Sequence, residues 1–393
     1  MPMTTAKIQD IQEVIQHNND CDGWLLYDYR GNNEFVSEIL ELPKDFFTRR
    51  FFYWIPKKGE PVKIFHTIER HIYEPVFGKN CEYHTWQELL ELLQKTLAKV
   101  DTIAMEYSPQ GTLPTISKVD AGTYDLLKTY VVNIISSWPI AEHFIARWNK
   151  EQMDLHRQAS HVLEFAFSSC WNLIRSSLDA NMTLTEKMVQ EFILDIFEKN
   201  DCITDSHPIC AIQENSSNPH HNPSNSAIIE NNRLILIDMW CKKNVPSAPY
   251  ADLSKVAFTS PKIPRKVDEV YAIVKKAQDT AIQFCKKQFE NGIPVRGADV
   301  DDVARDIIAS SGYANSFLHR TGHNIDKHLH GMATNIDNFE QHDTRFLRKN
   351  TCCSIEPGIY LKGEFGIRLE CNMILHENDI EITGKSEYTI LTI

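Results

Sequence analysis

The sequence predicts two successive units: an α/β unit over residues 1–150 and an α+β unit over residues 151–393. Three observations predict this. A chain of 393 residues is longer than one hydrophobic core comfortably serves. In its first part, short apolar runs alternate with helical ones, the pattern of an α/β unit. At HFIARWNKEQMDLHRQASHVLEFAF (143–167) the chain turns long, helical in period and dense in charge, and beyond it helices and one strong strand precede a closing run of strands.

Residues 1–20 place Ile8, Ile11, Val14 and Ile15 on one stripe and predict a short amphipathic helix. GWLLYDY (23–29), RRFFYWIP (49–56) and PVKIFHTI (61–68) predict strands broken by turns. A helix is predicted over about 86–99, a strand at TIAMEY (102–107), a helix starting near Asp120 and a strand at VVNIISS (131–137). In the second unit a helix is predicted at about 184–199, with Thr183 and Glu186 as its capping box. The Asn- and Pro-rich run QENSSNPHHNPSNS (213–226) predicts a loop, and RLILIDMW (233–240) a strong strand. Helices follow over about 265–290, stopped by Gly292, and 298–311, ended by Gly312.

Composition narrows the function. With 42% hydrophobic and 24% charged residues the chain reads as a globular protein. A net charge of −12 without a block of like charges argues against the basic face of a nucleic-acid binder. The ten cysteines form no CxxC pair and read as reduced thiols. The polar N-terminus lacks a signal core, and no apolar run approaches the ~20 residues of a membrane span. A cytoplasmic location is the expectation.

The chemistry concentrates in residues 319–371. SIEPGIY (354–360) and FGIRLECNM (365–373) each carry a glutamate, Glu356 and Glu370, inside an apolar, strand-like run. Burying an unpaired charge is costly, so two such carboxylates need a counter-charge. His323 and His330 lie just upstream, and a metal ion is the simplest partner for the group. Asp238, at the exit of LILID, suits the same purpose, although a turn residue accounts for it equally well. Asp252, in YADLSKVAF, carries little weight alone. Strand periodicity puts Arg368, Glu370 and Asn372 on one face, with Arg368 either supporting the charge cluster or forming a plain ion pair. The ordered set Asp238, Asp252, His323, Glu356, Glu370 gives four carboxylates, which suit two divalent cations. Oxygen-rich ligation with one imidazole favours manganese, cobalt, iron or zinc. Two such ions can bind and deprotonate one bridging water and stabilise the oxyanion formed on attack at a carbonyl.

With GHNIDKHLH, SIEPGIY and GIRLE around its last three members, this set resembles the pita-bread metallopeptidases, the family of methionine aminopeptidase, aminopeptidase P, prolidase and the non-metal relative creatinase. The likeness to the aminopeptidase P and prolidase branch covers most of the chain. It implies a creatinase-like N-terminal domain over 1–150 and a pita-bread catalytic domain over 151–393. It further implies Asp238, Asp252, His323, Glu356 and Glu370 as ligands of two metal ions, with Asp252 and Glu370 bridging and Glu356 shuttling protons. His330 and His220 match the histidines that line the substrate site, and Arg368 the arginine that supports the cluster. The implied reaction is hydrolysis of the bond before a proline at the second position of a peptide, by a homodimer. The aromatic run FFTRRFFYWIP (46–56) is a candidate dimer contact that core packing explains equally well.

The chain departs from the family at the rim. Asp-x-Gly becomes Asp238-Met239-Trp240, Ser-Asp-x-Thr-Arg becomes Ala251-Asp252-Leu253-Ser254-Lys255, and His-Glu becomes His330-Gly331. GHGIG becomes GHNID, and His221 stands where tyrosine is common. Two alternatives follow from the same fold: a creatinase-like C–N hydrolase, which predicts lost ligands, and a catalytically silent peptide- or partner-binding module.

Overall fold

The computed structural model describes residues 5–18, 20–42, 48–384 and 387–393, and it divides into two compact units between Arg147 and Trp148. The first unit is built on six strands, β1 (Gly23–Tyr29), β2 (Arg50–Pro56), β3 (Val62–His66), β4 (Lys79–Tyr83), β5 (Thr102–Met105) and β6 (Asn133–Ser136). Their order in the sheet is β4-β3-β2-β1-β5-β6. The helix Trp86–Leu97 covers it with Leu89, Leu93 and Leu97, spaced four apart and fully enclosed. Strand β4 and the helix Glu34–Leu40 were not predicted. KNCEY is a largely exposed strand at the sheet's end with no apolar alternation, and the seven-residue helix depends on its Asn33 cap. In the aromatic run proposed as a dimer contact, Phe46 and Phe47 lie outside the described residues. The described part is core: Phe51, Phe52 and Tyr53 are buried, and the Phe51 ring stacks on Tyr73 at 3.9 Å.

The second unit opens with the helix Lys150–Asp179, which starts later than predicted because Asn149 and Gln152 form its capping box. The next helix, Glu186–Lys199, is capped by Thr185 rather than Thr183. Thr185 Oγ1 accepts from Met188 N–H at 3.2 Å, while the Glu186 carboxylate turns inward instead of closing a box. Strands β7 (Cys202–Ile203), β8 (Ile209–Ile212), β9 (Leu234–Lys243) and β10 (Ala251–Phe258) follow. The helices Arg265–Glu290 and Gly297–Ser310 come next. The chain closes with β11 (Asn324–Ile325), β12 (Thr351–Ile355), β13 (Gly358–Leu361), β14 (Phe365–Arg368), β15 (Cys371–Leu375), β16 (Ile380–Thr383) and β17 (Leu391–Thr392).

These strands make one sheet ordered β17-β10-β9-β7, with β8 also on β9, a second ordered β11-β12-β15-β16, and the hairpin β13-β14. Strand β9 shows why the site forms where it does. Ile235, Ile237, Met239 and Cys241 point to one face and pack with residues of the helices Lys150–Asp179 and Glu186–Lys199. Leu234 and Leu236 point to the other, into the core with Arg265–Glu290 and Gly297–Ser310. Asp238 continues that second face at the period of two and is buried there.

Candidate metal centre

Pairing of β9 with β10 sets Asp238 opposite Ser254 and Trp240 opposite Asp252, so the two aspartates share a face one diagonal step apart. Strands β12 and β15 pair Ile355 with Cys371. The residues next to that pair are Glu356 and Glu370. Main-chain bonds fix the frame: Glu370 N–H donates to Ser254 O at 3.0 Å, Glu356 N–H to Thr321 O at 2.7 Å, and Ser354 N–H to His323 O at 2.9 Å. Arg368, Glu370 and Asn372 do not share one continuous strand as predicted. The strand breaks between Arg368 and Cys371, where Glu370 crosses from the hairpin to the second sheet.

His323 Nδ1 lies 3.1 Å from the Asn324 carbonyl oxygen, so it carries the proton, and Nε2 is left as a lone pair. That lone pair faces Asp252 Oδ2 at 3.4 Å and Glu356 Oε1 at 3.5 Å. Acceptors thus face acceptors. Among the described residues, Asp252 Oδ1 and Glu370 Oε1 are buried without a hydrogen-bond partner. One donor atom each from Asp252, His323 and Glu370 lies within 4.8 Å of the others. Burial, then the neighbouring acids, push the Asp252 and Glu370 carboxyls well above the usual range. Burial pushes the His323 imidazole down. A divalent cation relieves all of these at once, and the oxygen-rich set with one imidazole fits it.

Among the described residues, Arg368 supplies the buried positive charge against this group. Its Nη2 donates to Asp238 Oδ2, its Nε to Ser254 Oγ at 2.9 Å and its Nη1 to the Tyr360 hydroxyl at 3.2 Å. Ser254 Oγ also sits 2.5 Å from Asp238 Oδ1 and 3.0 Å from Glu370 Oε2, and Tyr360 OH lies 2.7 Å from His319 Nε2. The sequence reading gave Ser254, Tyr360, His319 and Asn372 no role. For Ser254 a signal existed, since it shares a strand face with Asp252.

The two further histidines lie toward solvent. The His330 ring meets His323 edge-on, with centroids 4.3 Å apart. The protein around it, then His323, Arg320 and His220, push its pKa down, so it is neutral at pH 7. His220 is exposed, and its N–H donates to Asn218 Oδ1 at 3.1 Å. The loop that carries it is tied down by the fully buried Glu186. Oε1 of Glu186 accepts from Ile212 N–H at 2.8 Å and Asn215 Nδ2 at 2.9 Å, and Oε2 lies 2.7 Å from His221 Nε2. The glycine after His330 has a local reason. A Cβ on Gly331 would lie 2.1 Å from Asn324 Oδ1 and 2.7 Å from Asp326 Oδ2.

Residues 154–377 match the model of metallopeptidase family M24. The chain belongs to that family. The M24 match contains every acid and imidazole of the cluster and stops short of the first unit. A Xaa-Pro dipeptidase from Lactobacillus helveticus is 33% identical over 163 residues, 41% of this chain and 40% of that one. A Xaa-Pro dipeptidase from Lactobacillus delbrueckii subsp. lactis is 29% identical over 233 residues, 59% and 58% of the two chains. The matched stretches therefore span less than two thirds of these relatives' length. The crystal structure of a recombinant prolidase from Thermococcus sibiricus has a similar fold along 100% of both chains, with a TM-score of 0.66 at 20% identity. The M24 chain thus has the architecture its sequence predicts, an α/β N-terminal domain followed by an α+β pita-bread domain.

Proposed function

We propose that this chain is a dinuclear metallo-exopeptidase that hydrolyses the bond between an N-terminal residue and a following proline. The observation that carries the reading is the buried set of mutually facing acceptors, with Asp252 Oδ1 and Glu370 Oε1 unpartnered. Asp238, Asp252, His323, Glu356 and Glu370 would hold two divalent ions, manganese by preference, with cobalt, zinc or iron as alternatives. Ions bound there would supply Lewis-acid polarisation and bring the pKa of a water toward neutrality.

The chain's own residues divide the remaining tasks. The Glu356 side chain is 13% exposed, against 8% for Asp238 and 6% for Asp252, so it can exchange a proton with water and the departing amine. On this reading His330 and exposed His220 would donate hydrogen bonds to the carbonyl oxygen as negative charge develops there. Arg368 pairs with Asp238 and fixes Ser254. The names of the two Lactobacillus relatives support a proline substrate, and a dipeptide in particular. A homodimer in the cytoplasm completes the reading, and the ten free cysteines support the reducing compartment.

The test is hydrolysis of an Xaa-Pro dipeptide and an Xaa-Pro-Yaa tripeptide by protein reloaded in turn with manganese, cobalt and zinc. Cleavage of the dipeptide alone makes it a dipeptidase, and cleavage of the tripeptide an aminopeptidase. Cleavage of neither, with metal bound, contradicts the reading and leaves a silent binding module.

A further inference from the structure

Trp240 stands on the catalytic face of β9. It lies two residues beyond Asp238 and directly across from Asp252 on β10. The intervening Met239 and the following Cys241 point to the opposite face, into the core beside the helix Lys150–Asp179. Trp240 is only partly buried, and it packs on a small cluster that includes Tyr250 and Ile325, with Leu329 at the same margin. Each of these neighbours adjoins the site: Tyr250 is two residues from Asp252, Ile325 two from His323, and Leu329 one from His330. The indole is also held in place, because its Nε1–H donates to Asp205 Oδ1 at 3.0 Å. A large, flat side chain therefore shares the strand face of Asp238 and pairs across from Asp252.

We propose that Trp240 is a specificity-determining residue that limits the substrate's N-terminal side chain to the smallest types. The inference rests on the peptidase reading above. On that reading the substrate's N-terminal residue carries the carbonyl to be attacked, so this residue must lie against the cluster formed by Asp238, Asp252, His323, Glu356 and Glu370. The side chain on the same residue then meets whatever borders Asp238 and Asp252, and on this strand face that is the indole. Swinging aside for a larger group would cost Trp240 the Asp205 bond and its packing on the Tyr250 and Ile325 cluster.

The test uses metal-loaded wild type, Trp240→Ala and Trp240→Phe. Affinities for the hydroxamates of glycine, alanine, leucine and phenylalanine are read by calorimetry, beside hydrolysis of Ala-Pro and Leu-Pro. Trp240→Ala is expected to raise the leucine-to-alanine affinity ratio at least tenfold, and Trp240→Phe to raise it less. Should the alanine variant misfold, the direction of the phenylalanine shift decides. An unchanged ratio, or one that falls, overturns the assignment. A shifted ratio with no proline peptide cleaved by any form retains the wall and removes the proline-peptidase reading. Failure of every hydroxamate to bind overturns both.

Discussion

Asp252 and Asn372 hold each other across the two sheets of the second unit: Asp252 N–H donates to Asn372 Oδ1 at 3.1 Å, and Asn372 Nδ2 donates to the Asp252 carbonyl oxygen at 2.6 Å. Both residues are buried, so no water replaces what is lost. Asn372→Ala should therefore cost about 2–4 kcal/mol of stability by leaving two main-chain groups unpaired. Urea unfolding of the metal-free protein checks this, and a loss under about 1 kcal/mol would show that the clasp is incidental.

Arg368 compensates Asp238 through one donor and spends its two others on Ser254 and Tyr360. Arg368→Met leaves a buried carboxylate without its cation and should destabilise the metal-free protein by about 3–5 kcal/mol. Arg368→Lys keeps the charge but cannot reach Asp238, Ser254 and Tyr360 together. It should stay folded and lose about 10–100-fold in kcat/KM. Thermal unfolding and peptide kinetics on the two variants separate charge from geometry.

Gly331→Ala tests how closely the His330 turn is fitted. The new methyl meets Asn324 Oδ1, whose side chain is pinned by Ala333 N–H at 3.0 Å and by its own donation to the Cys352 carbonyl oxygen at 2.8 Å. Asn324 cannot give way cheaply, so the turn must shift. Turnover should fall at least tenfold while metal content holds, measured by kcat and by metal analysis. Unaltered kcat would show that His330 tolerates displacement.

The acids were legible because a charge inside an apolar strand announces a cost that something must offset. Tyr360 and Asn372 are uncharged and announce nothing until the fold sets them beside Arg368 and Asp252. The same limit explains the helix cap. Thr183 and Thr185 flank the buried Leu184, and composition does not say at which of them the backbone turns. Long apolar runs such as 23–29 and 233–240 declared their strands, whereas the polar strand Lys79–Tyr83 is held by its pairing with β3.

In the first unit, Glu106 makes stability depend on pH. Burial pushes its carboxyl up to about 7, against the opposing effect of hydrogen bonds from Trp24, Asn33 and Ser137. The unfolded chain titrates near the ordinary glutamate value of about 4.3. Between these two values the folded state holds a proton that the unfolded state has released, so stability falls as pH rises through that window. The total loss is on the order of 2–4 kcal/mol above pH 7. Unfolding of wild type and Glu106→Gln from pH 4 to pH 8 should show the decline in the first and a flatter line in the second. Parallel curves would assign the dependence elsewhere.

If five side chains hold two ions that hydrolysis requires, metal and activity must be lost together. The most direct measurement is metal content after manganese loading and gel filtration, with Xaa-Pro hydrolysis on the same samples, for wild type and Glu370→Ala. Two ions per chain and turnover are expected in wild type, with loss of both together in Glu370→Ala and the first unit still folded. Normal turnover in Glu370→Ala would contradict it.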